Sequence, residues 1–230
     1  MSERSIPLTE KVANEIFAMI QERRYVAGDK LPTEKELCQQ TGAGRNTVRE
    51  ALKLLVSRNV VVIRQGAGSF VSDKQGVSDD PLGFSMMTDP VKLTQDLIQI
   101  RVIIEPPISA LAAQCATQED ILELREILER MESRIRKRGD FAQLDVDFHV
   151  KIAECTHNGV MQNLIPVISK GVIVFARTVA ETEYKQTLIA HRKIYEHIAG
   201  HRSFDAELEM RFHLLFNRDR YYNELEKTGL

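Results

Sequence analysis

The sequence predicts a mainly α protein in two parts: three helices with a two-stranded hairpin, then an all-α bundle. Three observations carry this. Residues 31–57 hold two short helical segments joined by a glycine-containing turn. Two apolar runs flanking Arg64-Gln65-Gly66-Ala67-Gly68 follow them. Beyond Pro90 helical periodicity recurs in segment after segment, with no alternating strand pattern. A chain of 230 residues is long enough for two modest domains.

The first helix is expected over residues 9–23, with Val12, Ile16 and Ile20 as its apolar stripe. Thr33 stands as N-cap of the second, and Glu36 three residues later completes a capping box. Thr41-Gly42-Ala43-Gly44 forms the turn. The third helix opens with Arg45-Asn46-Thr47 and buries Val48, Leu52 and Leu55. Residues 60–63 and 69–71 are strand-like, and Gly66 and Gly68 let the tip between them approach a phosphate closely. This ordered set is a winged helix-turn-helix.

A helix that presents its first turn to DNA enters the major groove, where arginine pairs with guanine and asparagine with adenine. The candidate DNA contacts are therefore Lys35, Arg45, Asn46, Thr47 and Arg49, with Arg64, Gln65, Gly66 and Gly68 at the wing. The capped helix, turn, arginine-bearing helix and glycine hairpin together outweigh a reading of Arg45 and Arg49 as an ordinary solvated face.

Residues 72–81 are polar and contain glycine and proline, as an interdomain linker does. The expected division is a DNA-binding domain over 1–72, a linker over 73–89 and a helical domain over 90–230. Six helical segments are expected in the last. Leu97, Ile100, Ile104 and Leu111 mark the first, which Pro106 and Pro107 interrupt or kink. Ile121, Leu124, Leu128, Met131 and Ile135 mark the second. The others are expected over residues 141–155, 160–179, 184–199 and 204–225.

The net charge of −2 conceals an asymmetry. Residues 1–75 carry 12 Lys and Arg against 9 Asp and Glu; residues 76–230 carry 19 against 24. A modestly basic first part and an acidic second part suit a DNA reader joined to a domain that does not touch DNA. The 3 cysteines, Cys38, Cys115 and Cys155, lack zinc-finger spacing and are expected as reduced thiols. With no signal-peptide core and no apolar run near the roughly 18 residues that span a bilayer, a soluble cytoplasmic protein is expected.

The third of those helical segments, residues 141–155, carries Asp145 and His149 four apart on a face shared with Phe141, Leu144, Phe148 and Ile152. His191 lies among Leu188, Ile194 and Ile198, and His213 among Met210, Phe212 and Leu214. A buried carboxylate and three imidazoles are costly unless paired or ligated. Asp145, His149, His191 and His213 are thus candidate ligands for a divalent Zn, Ni, Mn or Fe ion. His157, His197 and His201 fit the pattern less well. Arg101 stands beside Ile100 and Ile104. It either pairs with Glu105 one turn on or clamps the carboxylate of a ligand. Arg177 is a second candidate for that clamp.

Residues 31–37, 45–52 and 64–71 resemble the DNA-binding domain of the GntR family of bacterial transcription regulators. Gly44 departs from the serine or threonine common there. Ile100-Arg101-Val102-Ile103-Ile104-Glu105-Pro106, Asp145…Phe148-His149, His157-Asn158, His191-Arg192 and His213 resemble the FCD effector domain of the FadR-like branch. The resemblance implies a metal held by Asp145, His149, His191 and His213, and a small organic acid effector near Arg101. The expectation is a homodimeric repressor that reads palindromic double-stranded operator DNA, its affinity set by effector binding that shifts the two DNA-reading heads. The competing expectations are a metal-dependent enzyme using the same Asp and His groups, and a purely structural metal.

Overall fold

The computed structural model describes residues 6–74, 76–78, 80–137, 139–170 and 181–228. The chain divides into two compact units, Met1–Pro81 and Leu82–Leu230.

The first unit contains α1 (Leu8–Glu22), α2 (Glu34–Thr41) and α3 (Arg45–Ser57), then β1 (Val61–Arg64) and β2 (Gly68–Val71). Val12, Ala13, Ile16 and Ile20 of α1 and Val48, Ala51, Leu52 and Leu55 of α3 recur at three- and four-residue steps, and they close over Leu37 of α2. The capping box forms: Thr33 Oγ1 accepts from the Glu36 amide at 3.3 Å, and Glu36 Oε2 accepts from the Thr33 amide at 2.7 Å. Gly42 ends α2 at φ 67°, a left-handed conformation that glycine adopts without strain. β1 and β2 pair antiparallel from Val61 with Val71 to Arg64 with Gly68. A lone two-stranded hairpin is marginal in water. Here the outer edge of β2 is covered, because Gly28 donates to Val71 O and Leu31 to Ser69 O, both at 2.9 Å.

The second unit is all helical among its described residues apart from its connections. A 3₁₀ turn at Phe84–Met86 precedes α4 (Pro90–Cys115), α5 (Gln118–Arg136), α6 (Ala142–Glu154), α7 (Gly159–Lys170), α8 (Glu181–Ala199) and α9 (Ser203–Thr228). Asp89 caps α4 by accepting from the Val91 and Lys92 amides at 3.0 Å. Thr117 and Asp120 cap α5 with a second reciprocal box. α9 packs along α4 and α8, while α6 packs on α5, α7 and α4. Leu124, Met131, Phe148, Ile152, Ile194 and Met210 form the centre of the core. Among the described residues no helix is long and apolar enough to cross a membrane.

Two points differ or narrow here. Of the two outcomes expected at Pro106 and Pro107, interruption does not occur, and α4 runs as one helix through both. Ser109 Oγ lies 2.7 Å from Pro106 O and 2.9 Å from Ala206 O, which ties this part of α4 to α9. The buried stripe of α4 is also rotated from Leu97, Ile100, Ile104 and Leu111. It runs through Thr94, Leu97, Ile98, Arg101, Glu105, Ile108 and Ala112, and Ile100 is exposed. The cause is that Arg101 and Glu105 neutralise each other and so can face inward. Of the helix expected over 160–179, residues 171–179 lie outside the described residues.

The capping box gives a direct test of the first unit. Thr33→Ala should cost about 1 kcal/mol. It should appear as faster hydrogen exchange in α2 with exchange in the second unit unaltered. Unchanged protection of α2 amides would show that the cap contributes nothing.

Candidate functional sites

The winged helix places its basic side chains outward. Arg45 and Asn46, in the first turn of α3, are exposed, while Thr47 is half-buried and Val48 is buried. Gly44 caps α3 with no side-chain hydrogen bond. The first-turn amides of α3 consequently have no side-chain acceptor at the cap, and the helix dipole there favours an anion. Arg49 Nε donates to Glu34 Oε2 at 2.8 Å, and both side chains are exposed. Such a pair is worth roughly 0–1 kcal/mol, so releasing the guanidinium to another acceptor costs little. Lys35 is exposed on α2, as are Arg64, Gln65, Gly66 and Gly68 at the hairpin tip. The Arg64 guanidinium lies 4.5 Å from the centroid of the Phe70 ring, which supports it on the face of the wing. Gly68 has φ 113°, and a Cβ there would stand 3.3 Å from Lys30 Cε.

The second site is built at the centre of the helical unit. α6 supplies Asp145 and His149, α8 supplies His191 and α9 supplies His213. One ligand atom from each lies within 4.8 Å of all the others. The imidazoles are almost wholly buried and Asp145 nearly so. His191 Nε2 is 3.1 Å from His213 Nε2 and 3.4 Å from Asp145 Oδ1. Two nitrogens bound to one metal at about 2.0–2.1 Å stand roughly 3 Å apart, the separation seen for this pair. His149 Nε2 is buried with no hydrogen-bond partner. An orphaned buried nitrogen beside two other imidazoles and a carboxylate is the donor set of a divalent transition-metal ion, and the residues present fit one.

The surroundings of the cluster are charged and paired. Glu105 Oε2 lies 2.6 Å from His149 Nδ1, close enough for an ion pair though poorly aligned for a hydrogen bond. Arg101 Nε donates to Glu105 Oε1 at 2.5 Å, and Nη2 to Oε2 at 3.4 Å. Arg101 and Glu105 are both buried. Asn217, one turn beyond His213 on α9, places Nδ2 3.2 Å from His213 Nε2. Phe148 stacks on His191 with ring centroids 4.3 Å apart.

Burial sets the protonation of this centre. It pushes His191 down to about 3, against the opposing pull of Asp145. His213 is pushed well below the ordinary histidine range by burial, then by His191, His149 and Arg101. Burial alone would raise Glu105, but the Arg101 guanidinium and His149 outweigh it and hold the carboxyl at about 2. Two neutral imidazoles with available lone pairs are what metal ligation requires.

The structure thus brings Asp145, His149, His191 and His213 together. Arg101 lies inside the buried stripe and is paired with Glu105, the first of the two roles expected for it. Arg177 lies outside the described residues. His157, His197 and His201 are elsewhere: His157 Nε2 meets Asp120 at 3.0 Å, and His201 Nδ1 meets Ala113 O at 2.9 Å. Sequence reasoning missed Glu105 as the partner of His149, and missed Asn217 and Glu34. Only Asn217 carries a local signal, its four-residue offset from His213.

A winged helix-turn-helix followed by a helical unit with a buried polar centre defines a class, the transcription regulators with a C-terminal helical domain. Comparison with known proteins sharpens this. The family model described as bacterial regulatory proteins, gntR family, matches residues 8–71, and that of the FCD domain matches residues 96–216. The chain belongs to the GntR family and carries an FCD domain. It is 27% identical over 224 residues to the galactonate operon transcriptional repressor of Escherichia coli (strain K12), covering 94% of this chain and 97% of that one. It is 32% identical over 167 residues to the Glc operon transcriptional activator of the same organism, covering 70% of this chain and 65% of that one. The solved structure of Streptococcus agalactiae GntR superposes with a TM-score of 0.84 at 34% identity, covering 92% of this chain and 99% of that one. The chain is accordingly a transcription regulator and not an enzyme.

The depressed histidines give a pH dependence of definite sign. Below about 6.5 the unfolded imidazoles take up protons that His191, at about 3, does not. In chelator-treated protein, stability of the second unit should therefore fall as pH drops from about 6.5 toward 3, by up to about 1.4 kcal/mol per pH unit for each such imidazole. Glu105 acts in the same direction at the acid end, its contribution being present above about 4.5 and lost toward 2. A thermal midpoint that stays constant between pH 7.5 and 5 would show that the imidazoles are not held neutral.

Proposed function

We propose that this regulator is a cytoplasmic homodimer that reads a palindromic operator and represses transcription under the control of a small carboxylate metabolite. In this reading residues 1–72 bind DNA, 73–89 link, and 90–230 hold a divalent metal and the effector. The observation that carries it is the convergence of Asp145, His149, His191 and His213 within 4.8 Å inside an FCD domain. These four residues would hold the ion, which supplies positive charge and coordination positions for a carboxylate. The name of the galactonate operon repressor points to a sugar acid, a carboxylate of this kind.

Arg101 has a double part in this reading. Its Nε and Nη2 hold Glu105, and Glu105 in turn faces His149 Nδ1. The carboxylate–histidine contact orients the ring for ligation through Nε2. No acceptor among the described residues meets Arg101 Nη1, which leaves donors for an effector carboxylate. On the DNA side, Arg45, Asn46 and Arg49 read base edges from the start of α3. Lys35, Thr47, Arg64 and Gln65 fix the duplex through its phosphates, and Gly66 and Gly68 allow the wing backbone to approach.

Two experiments test the reading. With duplexes selected by the protein from a random pool, Arg49→Ala should weaken binding by about 1–3 kcal/mol and relax the preference at one base position. If Arg45→Ala and Arg49→Ala both bind the selected duplex as wild type does, α3 is not the recognition helix. His149→Ala or His191→Ala should lose stoichiometric metal measured by elemental analysis. Arg101→Ala would strand Glu105 in the core, so the informative substitution is Arg101→Lys, which retains the charge but not the planar fork. Arg101→Lys should retain metal and lose the effect of galactonate-like carboxylates on DNA binding. Wild-type protein without stoichiometric metal would overturn the metal assignment.

A further inference from the structure

The second unit is acidic, yet its cations are unevenly spread. Residues 130–138 hold 5 Lys and Arg in 9 positions, against the single acid Glu132. The nearby carboxylates are taken: Glu132 pairs with Arg192 at 3.1 Å, and Glu129 with Arg125 at 3.8 Å. Arg130, Arg134 and Lys137 follow one another at steps of four and three residues, so they share one stripe at the end of α5. Among the described residues none of these three side chains has a hydrogen-bond or ion-pair partner. The dipole at the end of α5 favours Arg134 and Lys137, but Arg130 lies a turn before its reach.

The three cations line an open groove of about 620 Å³. Asp140, in the connection, and Asp147, on α6, line it as well. Both carboxylates are held in place. Asp140 Oδ1 accepts from the Ala142 amide, and Asp147 Oδ1 from Gln143 Nε2, each at 2.8 Å. Among the described residues no ion pair joins either acid to any of the three cations. The buried Leu144 adds an apolar surface to the same groove.

We propose that this groove binds a phosphorylated polyol, its phosphate on Arg130, Arg134 and Lys137 and its hydroxyls on Asp140 and Asp147. A phosphomonoester carries a charge of about −1.5 to −2 at pH 7 and three strong acceptor oxygens, one for each cation. A single carboxylate falls short in both. Hydroxyls donate, and an ionised carboxylate only accepts. A second phosphate would meet the acidic side and be repelled, as would the continuous backbone of duplex DNA. The volume falls within the range of roughly 300–1,000 Å³ usual for small-molecule sites. Leu144 offers a surface for the carbon skeleton. The groove stands apart from the metal centre. Asp147 follows Asp145 by two residues, roughly 200° round α6, so the helix turns one acid to the histidines and the other to the groove.

The test is calorimetry on the whole chain at low salt, with glucose 6-phosphate, ribose 5-phosphate, glycerol 3-phosphate, inorganic phosphate and glucose as probes. At least one phosphorylated polyol should bind at one site per chain, about tenfold or more tighter than inorganic phosphate, and glucose should not bind. Arg134→Gln with Lys137→Gln should weaken that binding about tenfold or more. Asp147→Asn should weaken it severalfold and leave inorganic phosphate unaffected. Arg101→Lys should leave it unchanged. Phosphorylated polyols that bind no more tightly than inorganic phosphate, or not at all, overturn the proposal. So does binding that survives the Arg134 and Lys137 substitutions, or that is lost with Arg45→Ala, which would place the phosphate on the winged helix. Binding lost with Arg101→Lys would place the ligand at the metal centre and overturn it too. If the double variant fails to fold, Arg130→Gln and Asp147→Asn decide.

Discussion

The second unit depends on the pairing of Arg101 with Glu105. Both groups are buried, and a lone carboxylate in such a place would drop its charge or unfold the helix. Paired, they hold the charge of Glu105 against His149 across the gap between α4 and α6. The inward face of α4 is therefore fixed by an ion pair, with apolar residues arranged around it. That choice rotates the helix, exposes Ile100 and Ile103, and fixes which side of α4 meets α9. The neutral state of the buried imidazoles follows from the same dry surroundings. Replacing such a pair by apolar side chains can be neutral for stability elsewhere. Here the pair also orients a ring of the polar centre, a task an apolar pair could not perform.

What the sequence reveals divides along the range of the interactions concerned. The Thr33–Glu36 box is legible because both partners sit within one turn and the residue types are specific to a helix start. The wing is legible from two apolar runs and the glycines between them. The spacing of Asp145 and His149 with the inward positions of His191 and His213 is legible, since an imidazole amid aliphatic neighbours stands out. The depth of Arg101 is not. A periodicity rule treats charged residues as markers of the outer face, and it fails where two charges four residues apart cancel. Glu105 facing His149 spans 44 positions and leaves no local trace. The unbroken passage of α4 through Pro106 and Pro107 was hidden for a related reason: packing along α9 supports the helix where its own hydrogen-bond ladder lacks donors.

The two units differ in how they present their chemistry. In the first, the candidate DNA-contacting groups are outside and the core beneath them is plain: aliphatic residues from three helices, one strand and Leu31. Arg45, Asn46 and Arg49 can vary without touching that core. In the second, the polar centre lies within the core, flanked by Phe148 and the helices that also carry the aliphatic packing. A change at the centre is therefore a change in packing. Specificity for DNA and response to a ligand are placed under different structural constraints in one chain.

The distances in sequence between the clustered histidines carry a kinetic consequence. His149 and His191 are 42 residues apart, and His191 and His213 are 22 apart. No hairpin or single helix–turn–helix unit contains all of them, so the centre has no local precursor in the unfolded chain. Loops of this length must close before the nitrogens meet, and non-local closures of that kind come late. An ion held there would therefore not template the early steps of folding: it would meet a bundle already assembled, slow its opening, and make the final annealing of three helices, not their formation, the step that responds to it.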